Sequence, residues 1–211
     1  MTDRRWSWVA LGVAVPVLVV SAVLAARGVY GWEIAVFRAV NGLPDGVRPY
    51  LWALNQYGTA ITIPIATGVA LLFRRWALAL CLGVSGVGVY LLAKAVKGFA
   101  DRGRPGALID GVIERETFAP GSLGYPSGHA AVAWAITIVV ILVVLGGPWR
   151  IVAIVLAIAV PLSRMYVAAH MPLDLIGGAA LGVVVTSAVC LLVGHVRLAD
   201  AERPKVDRAP T

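Results

Sequence analysis

Six stretches of this chain, 9–26, 50–73, 76–93, 130–147, 151–169 and 175–194, are apolar almost without interruption. Five hold no charged residue, and the remaining one, 151–169, holds only Arg164. At ~1.5 Å of rise per residue, each is long enough as a helix to cross a hydrocarbon layer ~30 Å thick, with interfacial ends and tilt. Lipid offers no partner to backbone N–H and C=O groups, so these segments are helices rather than open strands. The expected fold is therefore all-α: a polytopic membrane protein with six transmembrane helices filling 1–196, followed by a polar tail at 197–211.

Composition supports the same reading. Hydrophobic residues make up 60% of the 211 positions and charged residues 14%, whereas roughly a quarter of a soluble domain is charged. The excess of apolar surface must face a bilayer. The formal net charge of +7 fits Lys and Arg flanking membrane segments. No basic run interleaves with aromatics, which excludes nucleic acid as a partner. Arg4 and Arg5 precede the first apolar stretch, which is long for a signal core and reads as an uncleaved first helix. Cys81 and Cys190 each lie deep in an apolar run with no second Cys or His at ligand spacing, and read as small core or lipid-facing residues.

Tight connections join the second and third stretches (Arg74, Arg75) and the fourth and fifth (Pro148, Trp149, Arg150). Longer ones join the first to the second and the third to the fourth. Within the first long connection, 31–38 is expected as a short helix on the membrane surface, with Trp32 and Phe37 as anchors. Lys and Arg are denser on the side holding the N-terminus, the tight turns and the tail, which makes that side cytoplasmic.

Polar residues interrupt the apolar chain in three clusters: Lys97 to Pro105, Pro126 to His129, and Ser163 to Asp174. Helices alternate direction, so the end of the third, the start of the fourth, the end of the fifth and the start of the sixth share one side of the membrane. That side is the non-cytoplasmic one on this orientation, at the level where a lipid presents its phosphate. The residue types suit a phosphate. Lys97, Arg104 and Arg164 are cations, and guanidinium grips two oxygens at once. Ser127 and Gly128 open a helix whose N–H groups and dipole favour an anion. His170 and Asp174 stand four apart, so the carboxylate fixes one ring nitrogen and leaves the other to attack phosphorus. His129 then serves as acid toward the leaving oxygen and as base toward water. No carboxylate cluster offers to hold Mg²⁺, so neither a metal nor a cofactor is expected.

Taken together, K-x6-R-P, P-S-G-H and S-R-x5-H-x3-D resemble the signature of the type-2 phosphatidic acid phosphatase (PAP2) superfamily. Lys97, Arg104, Pro105, Pro126, Ser127, Gly128, His129, Ser163, Arg164, His170 and Asp174 occupy its positions in order, and the membrane helices point to its lipid phosphatase branch. The resemblance implies His170 as nucleophile, His129 as acid and the basic residues as phosphate holders. It also implies a lipid substrate carrying a terminal phosphate: a polyprenyl diphosphate such as undecaprenyl diphosphate, phosphatidic acid or phosphatidylglycerophosphate. The competing readings are a non-hydrolytic protein that binds or translocates phospholipid, and a haloperoxidase with vanadate on His170. The remaining polar residues are expected to be bland. Asp101, Arg102, Asp110, Glu114 and Glu116 read as solvated loop charges. Asn55 and Gln56 read as interhelical hydrogen-bonding groups. Tyr125 and Phe118 read as covers of the site or contacts to the lipid tail. His195 reads as structural.

Overall fold

The computed structural model describes residues 4–143 and 148–202. Its helices are α1 (Arg4–Arg27), α2 (Gly31–Asn41), α3 (Arg48–Asn55), α4 (Thr62–Leu72), α5 (Trp76–Ala95), α6 (Lys97–Ala100), α7 (Pro105–Leu108), α8 (Gly128–Val143), α9 (Trp149–Tyr166) and α10 (Pro172–Glu202). Among the described residues there is no strand, only an isolated antiparallel bridge between Gly103 and Leu123. The expected end of the fourth apolar segment at 144–147, most of the polar tail and the side chain of His195 lie outside the described residues.

Among the described residues, four helices are long and apolar enough to cross a membrane: Arg4–Arg27, Trp76–Ala100, Trp149–Tyr166 and Pro172–Gly194. Two shorter apolar helices, Thr62–Leu72 and Gly128–Leu142, accompany them. The single span expected over 50–73 is instead broken. A one-turn 3₁₀ helix at Gln56–Gly58 separates α3 from α4, and hydroxyls take over the freed backbone. Both Thr59 Oγ1 and Thr62 Oγ1 donate to the Gln56 carbonyl, at 2.7 and 2.6 Å. That substitution of side-chain for helical hydrogen bonds is what permits a break among apolar elements. The break also brings Gly58 against Val160 and the His129 carbonyl, where a β-carbon would overlap both.

α10 packs along α1 and α8. At the α8 contact, a methyl group on Gly178 would overlap the Ser127 carbonyl, and one on Gly182 the Ala131 carbonyl. Small residues four apart thus let the two backbones approach, which in lipid takes the place of a hydrophobic driving force. The outer surface is apolar, with Val9, Val13, Val19, Leu72, Phe73 and Leu92 all exposed. Exposed Trp6, Trp8, Trp76 and Trp149 lie at the starts of α1, α5 and α9, and exposed Trp32, Tyr50, Trp52 and Phe99 lie in the segments beyond the ends of α1 and α5, the placement of aromatic residues at two membrane interfaces.

α2 departs from the expected surface anchor. Trp32 is exposed, but Phe37 is fully buried among Ala130, Met165, Met171 and Leu175, and Glu33 on the same helix is fully buried too. The helix is an inward-facing brace over the end of the bundle that carries the polar clusters.

Candidate active site

The chain reverses between α9 and α10, and the reversal places two of the expected site residues. α9 ends with the Ala168 N–H donating to the Met165 carbonyl at 3.0 Å and the Ala169 N–H to the Arg164 carbonyl at 2.9 Å. This is the paired 5→2 and 6→1 pattern that closes many helices. Its left-handed position is held by Ala168 at φ 65 rather than by glycine. Arg164 therefore stands on the last turn and His170 on the return. α10 opens on Pro172, suited to a first helical turn. Asp174, the helix's third residue, reaches back so that its Oδ2 accepts the Met171 N–H at 2.9 Å, half of a capping box. The same oxygen lies 3.6 Å from His170 Nδ1, a contact longer than a hydrogen bond. Such contacts tighten when substrate binds.

Three cations converge on this pair, two from the segment after α5 and one from the last turn of α9. Lys97 is partly buried, and its Nζ donates to the Leu123 carbonyl at 2.9 Å. Arg104 donates to Ser122 Oγ and to the Ala169 carbonyl, each at 2.8 Å, with its guanidinium 4.1 Å above the Phe118 ring. Arg164 is buried, and meets Glu116 through both terminal nitrogens at 3.1 and 3.4 Å. A groove open to solvent beside it is lined by Arg48, Trp52, Asn55, Glu116 and Tyr166. His129, partly buried on the first turn of α8, lies within electrostatic reach of Arg164, His170, Arg104 and Lys97. The three sequence clusters thus form one site. Ser127 is buried within its wall. Its N–H donates to the Asp174 backbone carbonyl at 2.9 Å and its hydroxyl accepts the Ala130 N–H at 3.4 Å, so it caps α8 and ties it to α10. Gly128 and His129 follow Ser127 as the first two residues of α8.

Burial, followed by the charges of Arg164, Arg104 and Lys97, holds the His170 imidazole well below its ordinary value of 6.5, although the Gly124 carbonyl works the other way. With its pKa held below that value, the ring is neutral at physiological pH. Burial and the charge of Arg164 likewise lower Arg104, opposed by Asp174 and Glu116; a guanidinium stays charged regardless.

The PAP2 superfamily model matches residues 74–197, more than half of the chain. The chain belongs to the PAP2 superfamily. Undecaprenyl-diphosphatase of Sulfolobus acidocaldarius is 29% identical over 158 residues, covering 72% of this chain and 74% of that protein. The fold is similar to that of Aquifex aeolicus LpxE, at a TM-score of 0.65 and 20% identity, over 77% of this chain and 96% of the other. It is also similar to the transmembrane PAP2-type phosphatidylglycerolphosphate phosphatase of Bacillus subtilis, at a TM-score of 0.64 and 22% identity, over 92% and 98% of the two chains. Apolar helices and membrane relatives together make this a multi-pass membrane member of the PAP2 superfamily.

Around its site, the PAP2 chain corrects several bland expectations. Arg102 is not a solvated loop charge. The left-handed turn at Asp101, φ 41, ends α6 and carries Arg102 inward, where it is 3% exposed and meets Glu33 at 2.8 Å and Asp174 at 3.6 Å. Glu116 is held on Arg164. Nearby, Arg115 pins the loop: it bonds Asp45 Oδ1 at 2.9 Å and the Asn41, Tyr166 and Leu43 carbonyls at 2.7, 2.9 and 3.0 Å. Asn41 exchanges two 2.9 Å bonds with the backbone of Ile113. Asn55 does hydrogen-bond between elements, accepting from Ser163 Oγ at 3.0 Å. Gln56 instead bonds its own turn through the Trp52 carbonyl at 3.0 Å. Phe118 lies under Arg104, while Tyr125 is buried against α1, its hydroxyl 3.0 Å from Ser21 Oγ. The readable signal for Glu33 and Arg102 was the rarity of charge beside apolar segments, yet nothing linear joins two residues 69 positions apart.

Proposed function

We propose that this protein hydrolyses the terminal phosphate of a membrane lipid through a phosphohistidine on His170, on the non-cytoplasmic face of the cell membrane. The observation that carries the reading is the neutral, buried His170, backed by Asp174 at 3.6 Å and facing Lys97, Arg104 and Arg164. A protein that only bound or moved phospholipid would need the cations but not a nucleophile–acid pair.

The chemistry runs in two displacements. His170 Nε2 forms a bond to phosphorus as the P–O bond to the lipid breaks, and His129 gives the leaving oxygen a proton. Water then attacks the phosphohistidine, His129 takes its proton, the P–N bond breaks and inorganic phosphate leaves. Lys97, Arg104 and Arg164 neutralise charge on the transferring group in both transition states. Glu116 holds its carboxylate on Arg164 in the fork geometry that a phosphate would take, and gives way to it.

The undecaprenyl-diphosphatase relative favours a polyprenyl diphosphate substrate over phosphatidic acid or phosphatidylglycerophosphate. Phosphate release in detergent from a panel of these lipids, with His170→Ala as the blank, tests both the reaction and the choice. Release from the diphosphate that vanishes in His170→Ala is expected. Lipid binding with no release by the wild type overturns the reading in favour of a non-hydrolytic protein.

A further inference from the structure

Behind His170 lies a row of charges with no route to solvent. Asp174 and Glu33 are wholly buried and Arg102 is 3% exposed. Arg102 Nη2 meets Glu33 Oε2 at 2.8 Å, and its Nη1 faces Asp174 Oδ1 at 3.6 Å. Asp174 Oδ2 in turn faces His170 Nδ1 at 3.6 Å. Glu33 is fixed from three elements: by Arg102, by the Leu173 N–H at the start of α10 at 3.0 Å, and by the Tyr30 N–H before α2 at 3.3 Å. Arg102 Nη1 and Asp174 Oδ1 each lack a hydrogen-bond partner. Each therefore has chiefly the other for compensation.

Building on the catalytic reading above, we infer that Glu33 and Arg102 form a buried positioning pair that keeps Asp174 ionised and aligned on His170, and thereby sets the acid limit of the reaction. A buried carboxylate without a cation takes up a proton, and a protonated Asp174 no longer stabilises a cationic His170 intermediate. The groups facing Asp174 are Arg102, Lys97 and Arg104 from the segment after α5, His170 and the Met171 N–H from the α9–α10 turn, and Tyr125 from the loop before α8. Lys97 and Arg104 are partly exposed and belong to the phosphate, so their charge is shared with substrate. Arg102 has no access to substrate and serves Asp174 alone. Glu33 holds the guanidinium by its other nitrogen and leaves Nη1 toward Asp174. Neither residue touches phosphate, so both act through Asp174.

The test is kcat and KM against pH for lipid-phosphate hydrolysis by the full-length protein in detergent. The variants are Arg102→Gln, Glu33→Gln and Arg102→Lys, each checked for folding by size-exclusion and thermal melting. Arg102→Gln is expected to lower kcat at neutral pH by about 10- to 100-fold with KM changed less than about twofold. The acid limb of kcat should move upward by about one to three pH units, so that activity recovers as pH rises. Arg102→Lys should restore the limb. Infrared spectra should show a protonated-carboxyl band in Arg102→Gln that further substitution of Asp174→Asn removes. If Arg102→Gln does not fold, the apolar pair Glu33→Leu with Arg102→Met replaces it, since buried ion pairs are often exchanged for apolar groups without loss of fold; the same limb shift is expected. A folded variant with an unmoved acid limb and no new carboxyl band overturns the inference, as does a loss of kcat that is equal at every pH and not restored by lysine. Wild-type activity lost in His170→Ala, together with Arg102 variants whose kcat and pH profile match the wild type, sinks this inference alone. A wild type that releases no phosphate sinks the catalytic reading with it.

Discussion

Two arginines in this site are each paired with a glutamate, and the pairs differ in almost everything else. Arg102 and Glu33 have side chains 2% and 0% exposed and meet at 2.8 Å. Arg164 is equally hidden, at 7%, but its partner Glu116 is 39% exposed and sits at 3.1 Å. One pair is sealed between α2 and α10; the other stands at the mouth of a groove. A buried pair loses heavily when one partner is removed, because the survivor stays charged in a low dielectric. A pair open on one side contributes little, because water and salt screen it. The inner pair is thus suited to permanence and the outer one to exchange, in which a phosphate displaces a carboxylate from the same guanidinium.

The widest difference should appear in stability. Glu33→Gln is expected to cost about 3–5 kcal/mol in denaturation measured in detergent, whereas Glu116→Gln should change stability by about 0–1 kcal/mol. Equal costs would break the comparison. Next in size is catalysis at the outer pair. Arg164→Gln should lower kcat/KM by about 10²–10³-fold, the scale seen when one preorganised donor to a developing charge is removed. It should also weaken inhibition by vanadate, which competes for the phosphate position.

A smaller effect runs the other way. Glu116→Gln frees Arg164 for substrate, so vanadate and inorganic phosphate should bind about tenfold tighter, and weaker binding would show that Glu116 is part of the cradle instead. Charge removal at Arg164 also predicts a pH effect. Burial and the cations hold His170 below 6.5, so its nucleophilic form persists as pH falls through the ordinary histidine range. Losing the Arg164 charge lets the imidazole take up a proton at higher pH, and the acid limb of kcat/KM moves upward. For folding the sign is opposite to that of a stabilising ion pair. Below about pH 6.5 the unfolded chain binds a proton that native His170 refuses, so stability should fall as pH drops through that point, and less steeply in His170→Gln. The smallest expected change is local. Ala168→Gly relieves a left-handed alanine beside Arg164 and should raise stability by about 1 kcal/mol.

Part of this contrast was legible before any coordinates. Lys97, Arg104, His129, Arg164, His170 and Asp174 were expected on one side of the membrane because helices alternate direction, and the structure gathers them. An interhelical hydrogen bond from Asn55 was also expected, as polar groups inside apolar helices seek each other; the structure supplies its partner, Ser163. Glu33 was passed over because α2 reads as a surface helix, whereas its packing turns Phe37 and Glu33 inward. Arg102 reads as a solvated loop charge because, like Asp101, it lies inside the first polar cluster but outside the signature positions. The left-handed turn that buries it is decided by where α6 stops. The span over 50–73 was read as continuous because hydropathy does not register the Thr59 and Thr62 hydroxyls that allow the chain to break at Gly58.

By itself, the sequence determined what depends on local spacing. The apolar lengths demand helices in lipid, the four-residue step from His170 to Asp174 sets one residue behind the other, and the cation-rich segments supply the charges that gather around them. Tertiary structure alone decided which charges are sealed and which are open. Whether Arg102 answers to Glu33 and Arg164 to Glu116 depends on how α2 and the loop before α8 pack across the bundle end. Burial fixes the strength of those charges, and burial is a property of the packed elements together rather than of any one segment.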